Sequence, residues 1–265
     1  MFLDINGNRL FTLSFGNGPK TFLAHSGWVG NFEDWIATLS LLSTDWRVVI
    51  YDHRGSGESP VPADRITADA LVDDLFAVMD ALSIETCTLA GFSRGSVTAL
   101  RATLRQPERF DGLMLLNGNG GVTSPDTVVT PRVPPSQWPG ETHQQRLEWF
   151  ATACTPEPDA LHIRRWAVNL LSRSSPEAAE ASFMSQPSEP IDWPLDLGRL
   201  TLPTLLVHGE LDPLVALRDM EYLQTLLPRS KLVMMEGSGH LPAMTRPQDV
   251  AREINDFFRG QATTD

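Results

Sequence analysis

Residues 87–98, CTLAGFSRGSVT, decide the fold. The first four are apolar and suit a short buried strand. Gly91-Phe92-Ser93-Arg94-Gly95 breaks the run, and residues 94–105 have a helix-compatible composition. A Gly-x-Ser-x-Gly turn between strand and helix is the context in which that motif exposes a nucleophile. The glycines lie two residues either side of Ser93, where a side chain would crowd so sharp a bend. The bend lifts the Ser93 hydroxyl out of the chain. The helix start leaves backbone N–H groups unpaired beside it. The same five residues also arise by chance, so the rest of the chain must supply a base, an acid and an oxyanion site.

Outward from this stretch, strands alternate with helices. Phe2–Ile5 and residues 9–15 flank Asn6-Gly7, a turn that predicts a hairpin. Residues 21–24 form an apolar run ending at His25-Ser26-Gly27-Trp28. Trp46–Tyr51 is β-branched and aromatic and stops at the polar turn Asp52-His53-Arg54-Gly55. Residues 33–42 have helical spacing. So do residues 67–82, with Leu71, Leu75, Val78, Met79 and Leu82 on one face and Thr67 as N-cap. Downstream, Phe110–Leu116, residues 204–208 and residues 231–235 read as strands. They end at Asn117-Gly118-Asn119-Gly120-Gly121, at Gly209-Glu210-Leu211-Asp212-Pro213 and at Glu236-Gly237-Ser238-Gly239-His240. Helices are predicted over residues 215–227 and Pro247–Arg259, the last with proline in its first turn and Gly260 at its end; residues 261–265 read as frayed. The pattern predicts an α/β fold: a mostly parallel eight-stranded sheet with helices on both faces. Its polar, glycine-rich segments follow the strands, at the carboxyl edge where such sheets place their sites.

Between the sixth and seventh strands the texture changes. Prolines are dense, no strong strand appears, and amphipathic patches lie at residues 144–153, 159–171 and Pro176–Met184. Residues 124–195 are therefore expected to form a helical cap on a core of residues 1–123 and 196–265. Trp138, Trp149, Trp166 and Trp193, four of the seven tryptophans, lie in it. Trp138, Trp149 and Trp166 are candidate substrate contacts, because an aromatic lid suits an apolar or ring-containing small molecule.

A chain of 265 residues can bury one large core, and 42% hydrophobic with 20% charged residues is ordinary for a soluble globule. The net charge of −12 argues against nucleic acid and against anionic membrane surfaces as partners. It says little about a substrate, since the field in a cleft can differ from the average. Cys87 falls in a buried strand, so pairing with Cys154 is not expected. MFLDINGNRL lacks the pattern of a signal peptide, and no apolar stretch approaches membrane-spanning length. A cytoplasmic protein is expected. No His or Cys spacing suggests a metal, and the run at residues 117–121 lacks G-x-G-x-x-G, so no cofactor is expected. That run reads as a loop beside the pocket. No apolar surface stripe remains from which an oligomer could be read.

A serine hydroxyl needs a neighbouring base, for which histidine is suited by its pKa of about 6.5. His240 is the candidate, in a flexible loop after the final strand. Its acceptor is Asp212, just past a strand end; Glu210 is the rival carboxylate, and helix capping is the alternative role for Asp212. The oxyanion site needs two N–H donors. Arg94 supplies one from the turn. Trp28 is the candidate for the other, with Gly27 second; the Trp28 ring can pack as well. His53 and Arg54 are assigned no catalytic role, His208 is read as packed, and His143 and His162 as cap-surface residues that could also reach a substrate.

These residues sit in segments that resemble the α/β-hydrolase superfamily over residues 8–258. The segments are FLAHSGWVGNFEDW, VVIYDHRGSGESP, LAGFSRGS, VHGELDPLV and MEGSGHLPAMTRPQDVAREINDFF. Within the superfamily the chain is most similar to small-capped esterases and lactonases such as the 3-oxoadipate enol-lactonase group. The resemblance implies the triad order Ser93, Asp212, His240, a cap after the sixth strand, and cleavage of a carboxylic ester or lactone through an acyl-enzyme. Serine at the turn separates the chain from epoxide hydrolases and haloalkane dehalogenases, which use aspartate there. Departures are visible. Ser26 stands where a histidine usually precedes Gly27, with His25 displaced by one, and Trp28 follows the glycine as in some cofactor-free dioxygenases of this fold. Arg94 follows the nucleophile, as an anion contact or a structural partner, and Ser96 replaces a frequent glycine. C–C bond or amide hydrolysis, cofactor-free oxygenation, and a non-catalytic small-molecule receptor remain alternatives on the same scaffold.

Overall fold

The computed structural model describes residues 1–189 and 193–259. The Trp193 side chain, Gly260 and residues 261–265, all named above, lie outside the described residues. The strands are β1 (Phe2–Ile5), β2 (Asn8–Phe15), β3 (Lys20–His25), β4 (Trp46–Tyr51), β5 (Cys87–Phe92), β6 (Phe110–Leu116), β7 (Thr204–Gly209) and β8 (Ser230–Met235). They form one eight-stranded sheet in the order β1-β2-β4-β3-β5-β6-β7-β8. β1 and β2 form the expected hairpin, with Asn6 and Gly7 at φ +48° and +75°, and β2 runs antiparallel to β4. The remaining neighbours are parallel.

The helices are α1 (Ile36–Leu42), α2 (Ala68–Ala81), α3 (Gly95–Arg105), α4 (His143–Cys154), α5 (Leu161–Leu171), α6 (Pro176–Met184), α7 (Trp193–Leu197), α8 (Leu217–Leu226), α9 (Pro242–Thr245) and α10 (Pro247–Arg259). Strand side chains alternate between two cores, as the two-residue repeat requires. Phe22, Val48, Ile50 and Val207 pack on Leu39 of α1 and Ile254 and Phe258 of α10. Leu23, Val49, Leu89 and Leu206 pack on Leu75 of α2, Ala99 of α3 and Met220 of α8. Each large aliphatic side chain so buried contributes about 1.5–3 kcal/mol. Thr67 caps α2 by accepting from the Ala70 N–H at 3.1 Å. α8 begins two residues later than its periodicity predicts. The Asp212 carboxylate accepts from the Leu214 and Val215 N–H groups at 2.8 and 3.3 Å and holds them in a turn.

Among the described residues, the chain between β6 and β7 carries α4 to α7 and no strand. Leu147, Leu170 and Ala179 there close on Trp28, Val29 and Trp138 in a third apolar cluster. Leu197 of α7 and Leu200 join the core under α8 instead, so the expected boundary at 195/196 falls inside α7. Cys87 and Cys154 are both buried and unpaired. Among the described residues no helix is long and apolar enough to cross a membrane.

Two features of the sheet position the site. The chain leaves β3 for β4 on one side, and β5 returns on the other, so a crevice opens at the carboxyl ends of β3 and β5. In register, His25 lies level with Gly91, which brings the loops after both strands side by side. The turn after β4 is held by Arg54. Its Nε and Nη2 donate to both oxygens of Asp74 on α2 at 2.7 and 2.6 Å, and Nη1 donates to the Arg65 carbonyl at 2.6 Å. The Asn6 side chain of the hairpin also donates to Asp74, at 2.9 Å. This ion pair is almost solvent-free, so removing one partner strands a charge at about 3–5 kcal/mol. Asp74→Ala is expected to lose that much in denaturant unfolding; a loss below about 1 kcal/mol would contradict a structural role for the clamp.

Candidate active site

Ser93 sits at φ +51°, a left-handed conformation costing a non-glycine residue about 1–3 kcal/mol. The surroundings enforce it. The Ser93 N–H donates to the Leu116 carbonyl at 2.9 Å. The Ser96 hydroxyl donates to the Ser93 carbonyl at 2.5 Å and accepts from the Gly120 N–H at 2.9 Å, which gives the serine in the usual glycine's place a role. The flanking glycines are required by close approach. A Cβ on Gly95 would lie 2.3 Å from the Ser26 carbonyl oxygen, and one on Gly91 would lie 2.6 Å from that of Gly95.

His240 reaches this turn from the loop after β8. Its Nε2 is 2.9 Å from Ser93 Oγ, and its Nδ1 is 2.8 Å from Asp212 Oδ2. A carboxylate only accepts, so Nδ1 carries the proton and Nε2 accepts from the serine hydroxyl. Asp212 also receives the Asn117 side-chain amide at 2.7 Å, beside the Leu214 and Val215 amides on its other oxygen. Burial works against its charge, but His240 and these donors prevail and hold its pKa below the usual carboxylate value. Glu210 points elsewhere, accepting from the Gly237 N–H at 2.8 Å.

Three residues that the sequence reading did not single out support this geometry. Asn117, at φ +44° after β6, joins Asp212 to the Gly239 carbonyl, to which it donates at 3.1 Å. Its signal was an asparagine at a strand end, a residue that tolerates the left-handed region. Glu157 accepts the Gly239 N–H at 2.6 Å, and the Cys154 carbonyl accepts the His240 N–H at 2.9 Å. No pattern in the sequence pairs residues so distant.

Among the described residues, neither the Trp28 N–H nor the Arg94 N–H has an acceptor. The Gly27 carbonyl accepts from His53 Nε2 at 2.9 Å; burial lowers the His53 pKa and keeps the ring neutral, with Nε2 protonated. In a trans peptide the C=O and the next N–H point opposite ways. Holding the Gly27 carbonyl on His53 therefore aims the Trp28 N–H away from it. Trp28 therefore keeps an unengaged backbone donor on this loop. Its ring packs too: Nε1 donates to the Ala179 carbonyl at 2.7 Å, and the indole meets Trp138 and Phe150 at 4.9 and 5.1 Å.

A cavity of about 470 Å³ opens over Ser93 and His240, lined by Trp28, Trp138, Trp149, Phe150 and Phe183 among others. Gly118, Asn119 and Gly121 line it as the loop reading expected. Trp166 does not. It faces Glu33, to which Nε1 donates at 2.5 Å, because α5 turns that side toward the loop after β3. A second space of about 30 Å³ lies between Ser93, His240, Asp34 and Leu171. A larger hollow, about 930 Å³ beside Asp69 and Arg199, contains none of these residues, so size alone does not select the site. His143, His162 and His208 line none of these cavities. Among the described residues no cluster of His, Cys, Asp and Glu is placed to hold a metal ion.

A family model described as the alpha/beta hydrolase fold matches residues 20–247, and the chain belongs to that family. A putative carbamate hydrolase, RutD, from Pseudomonas syringae pv. syringae is 27% identical, over 91% of this chain and 94% of the relative. A pimeloyl-(acyl-carrier protein) methyl ester esterase from Aeromonas hydrophila is also 27% identical, over 92% and 96%. The solved enol-lactonase from Burkholderia xenovorans superposes with a TM-score of 0.85 at 18% identity, covering 98% of this chain and 100% of that one. At that identity it speaks for the fold.

Asp34 makes a measurable signature. Burial pushes its pKa from 3.8 to about 8, and its Oδ2 has no partner among the described residues. Between those two values the folded protein holds a proton that the unfolded chain has released, so stability falls as pH rises. The slope has a ceiling of about 1.4 kcal/mol per pH unit. Asp34→Asn is expected to flatten the loss of unfolding free energy between about pH 5 and 8; equal slopes in variant and wild type would contradict a neutral buried acid.

Proposed function

We propose that the chain is a serine hydrolase that cleaves a carboxylic ester or lactone of a small, apolar or ring-containing substrate. The observation that carries this reading is the continuous hydrogen-bond line from Ser93 Oγ through His240 to Asp212, at 2.9 and 2.8 Å. The aromatic cavity above it supports a ring-containing substrate, and ester-cleaving relatives support the reaction class. Residues 124–195 act as the lid.

In this mechanism Ser93 Oγ attacks the carbonyl carbon while His240 Nε2 takes the hydroxyl proton. The Trp28 and Arg94 N–H groups receive the charge that develops on the carbonyl oxygen. The carbon–oxygen bond to the leaving group then breaks, and His240 gives its proton to the departing alkoxide. Water attacks the acyl-enzyme, passes a proton to His240, and the Ser93 oxygen leaves and recovers that proton. Asp212 stays ionised throughout and stabilises the imidazolium.

Ser93→Ala is expected to lower kcat/KM on short 4-nitrophenyl esters by at least about 10³-fold, since triad members act as a unit. It is also expected to abolish labelling by a fluorophosphonate. Retention of most of the esterase rate would contradict the mechanism.

A further inference from the structure

The cavity over Ser93 has a charge pattern that ester cleavage does not require. Arg94 and Arg132 both line it, and among the described residues no aspartate or glutamate does. Arg94 Nη2 donates to the Ser185 carbonyl at 2.9 Å, and Arg132 Nη1 donates to the Phe183 carbonyl at 3.3 Å. Among the described residues neither guanidinium is in an ion pair. Each guanidinium has five N–H donors, so most of each fork is uncommitted by these two bonds. Arg94 is mostly buried, and its pKa is pushed down to about 10, first by that burial and then by the charge of Arg132. It remains a cation at neutral pH, with another cation as its electrostatic neighbour.

The two side chains also line an outer hollow of about 460 Å³, beside Arg101 and Glu189. Glu189 couples electrostatically to Arg101. Two cations facing one cavity disfavour the folded state, and the Phe183 ring, 5.9 Å from the Arg94 guanidinium, offsets part of that cost. In a chain of net charge −12 the pair makes the cavity a local positive field. A planar oxyanion is the ligand that matches guanidinium forks.

We propose that Arg94 and Arg132 form an anion subsite, and that the substrate is an ester or lactone carrying a carboxylate away from the scissile bond. The apolar body of the substrate lies on Trp138 and Trp149, its carbonyl meets Ser93, and its carboxylate bridges the two guanidiniums. This rests on the hydrolase reading and narrows its substrate class.

Matched esters test it. Mono-4-nitrophenyl glutarate against 4-nitrophenyl pentanoate places the charge on the acyl side. 4-Carboxyphenyl against 4-carbamoylphenyl pentanoate places it on the alcohol side. The wild type is expected to prefer one anionic ester by roughly tenfold or more in kcat/KM, as a charge-assisted contact provides. That ratio is expected to fall toward one in Arg94→Gln and in Arg132→Gln, and to return in part in Arg94→Lys. The ratio divides out any general loss of catalysis in these variants. Neutral esters cleaved with no preference for either anionic partner would overturn the subsite and leave the hydrolase reading standing. A preference that survives both glutamine variants would overturn it as well. If no ester is cleaved and Ser93 is not labelled by a fluorophosphonate, both readings fall together.

Discussion

The close approach of β3 and β5 at their carboxyl ends sets the geometry of everything above the sheet. His25 is level with Gly91, and the Ser26 carbonyl lies where a Cβ on Gly95 would be, 2.3 Å away. Only a turn without side chains at both flanks fits under that loop. The fit forces Ser93 to φ +51° and presents its hydroxyl to the crevice. A bulkier residue at position 95 would push the two loops apart and separate the nucleophile from its proposed oxyanion donors together.

The helices over the sheet are tied into this arrangement by the backbone. The Trp28 indole is fastened to α6 through the Ala179 carbonyl, and the Ser182 hydroxyl donates to the Trp28 carbonyl at 3.0 Å. On the other side, Glu157 and the Cys154 carbonyl hold the amides of Gly239 and His240. The segment between β6 and β7 thus touches both the loop after β3 and the loop after β8.

Much of this was legible in the sequence because it rests on local rules. Short β-branched runs mark strands that neighbours bury on both faces, and glycine-flanked Ser93 marks a turn with one steric solution. Asp212 and His240 follow strands whose carboxyl ends must share an edge. What the sequence concealed depends on long-range contacts. Asn117 looked like one more loop residue until β6 and β7 were side by side. Trp166 has the composition of a pocket residue, but α5 rotates it onto Glu33. Arg132 sits in a proline-rich stretch without periodicity, so nothing local announces that it lines the same cavity as Arg94. The late start of α8 has the same origin: the carboxylate that holds His240 also captures the Leu214 and Val215 amides just ahead of that helix.

The central claim is that Ser93 is a covalent nucleophile and not a residue that only positions substrate. Rapid quenching of the protein during turnover of a 4-nitrophenyl ester, followed by peptide mass analysis, tests it directly. The account predicts a burst of nitrophenol and an acyl group mapped to Ser93. Steady turnover with no acyl adduct at Ser93 on any quenching timescale would contradict it.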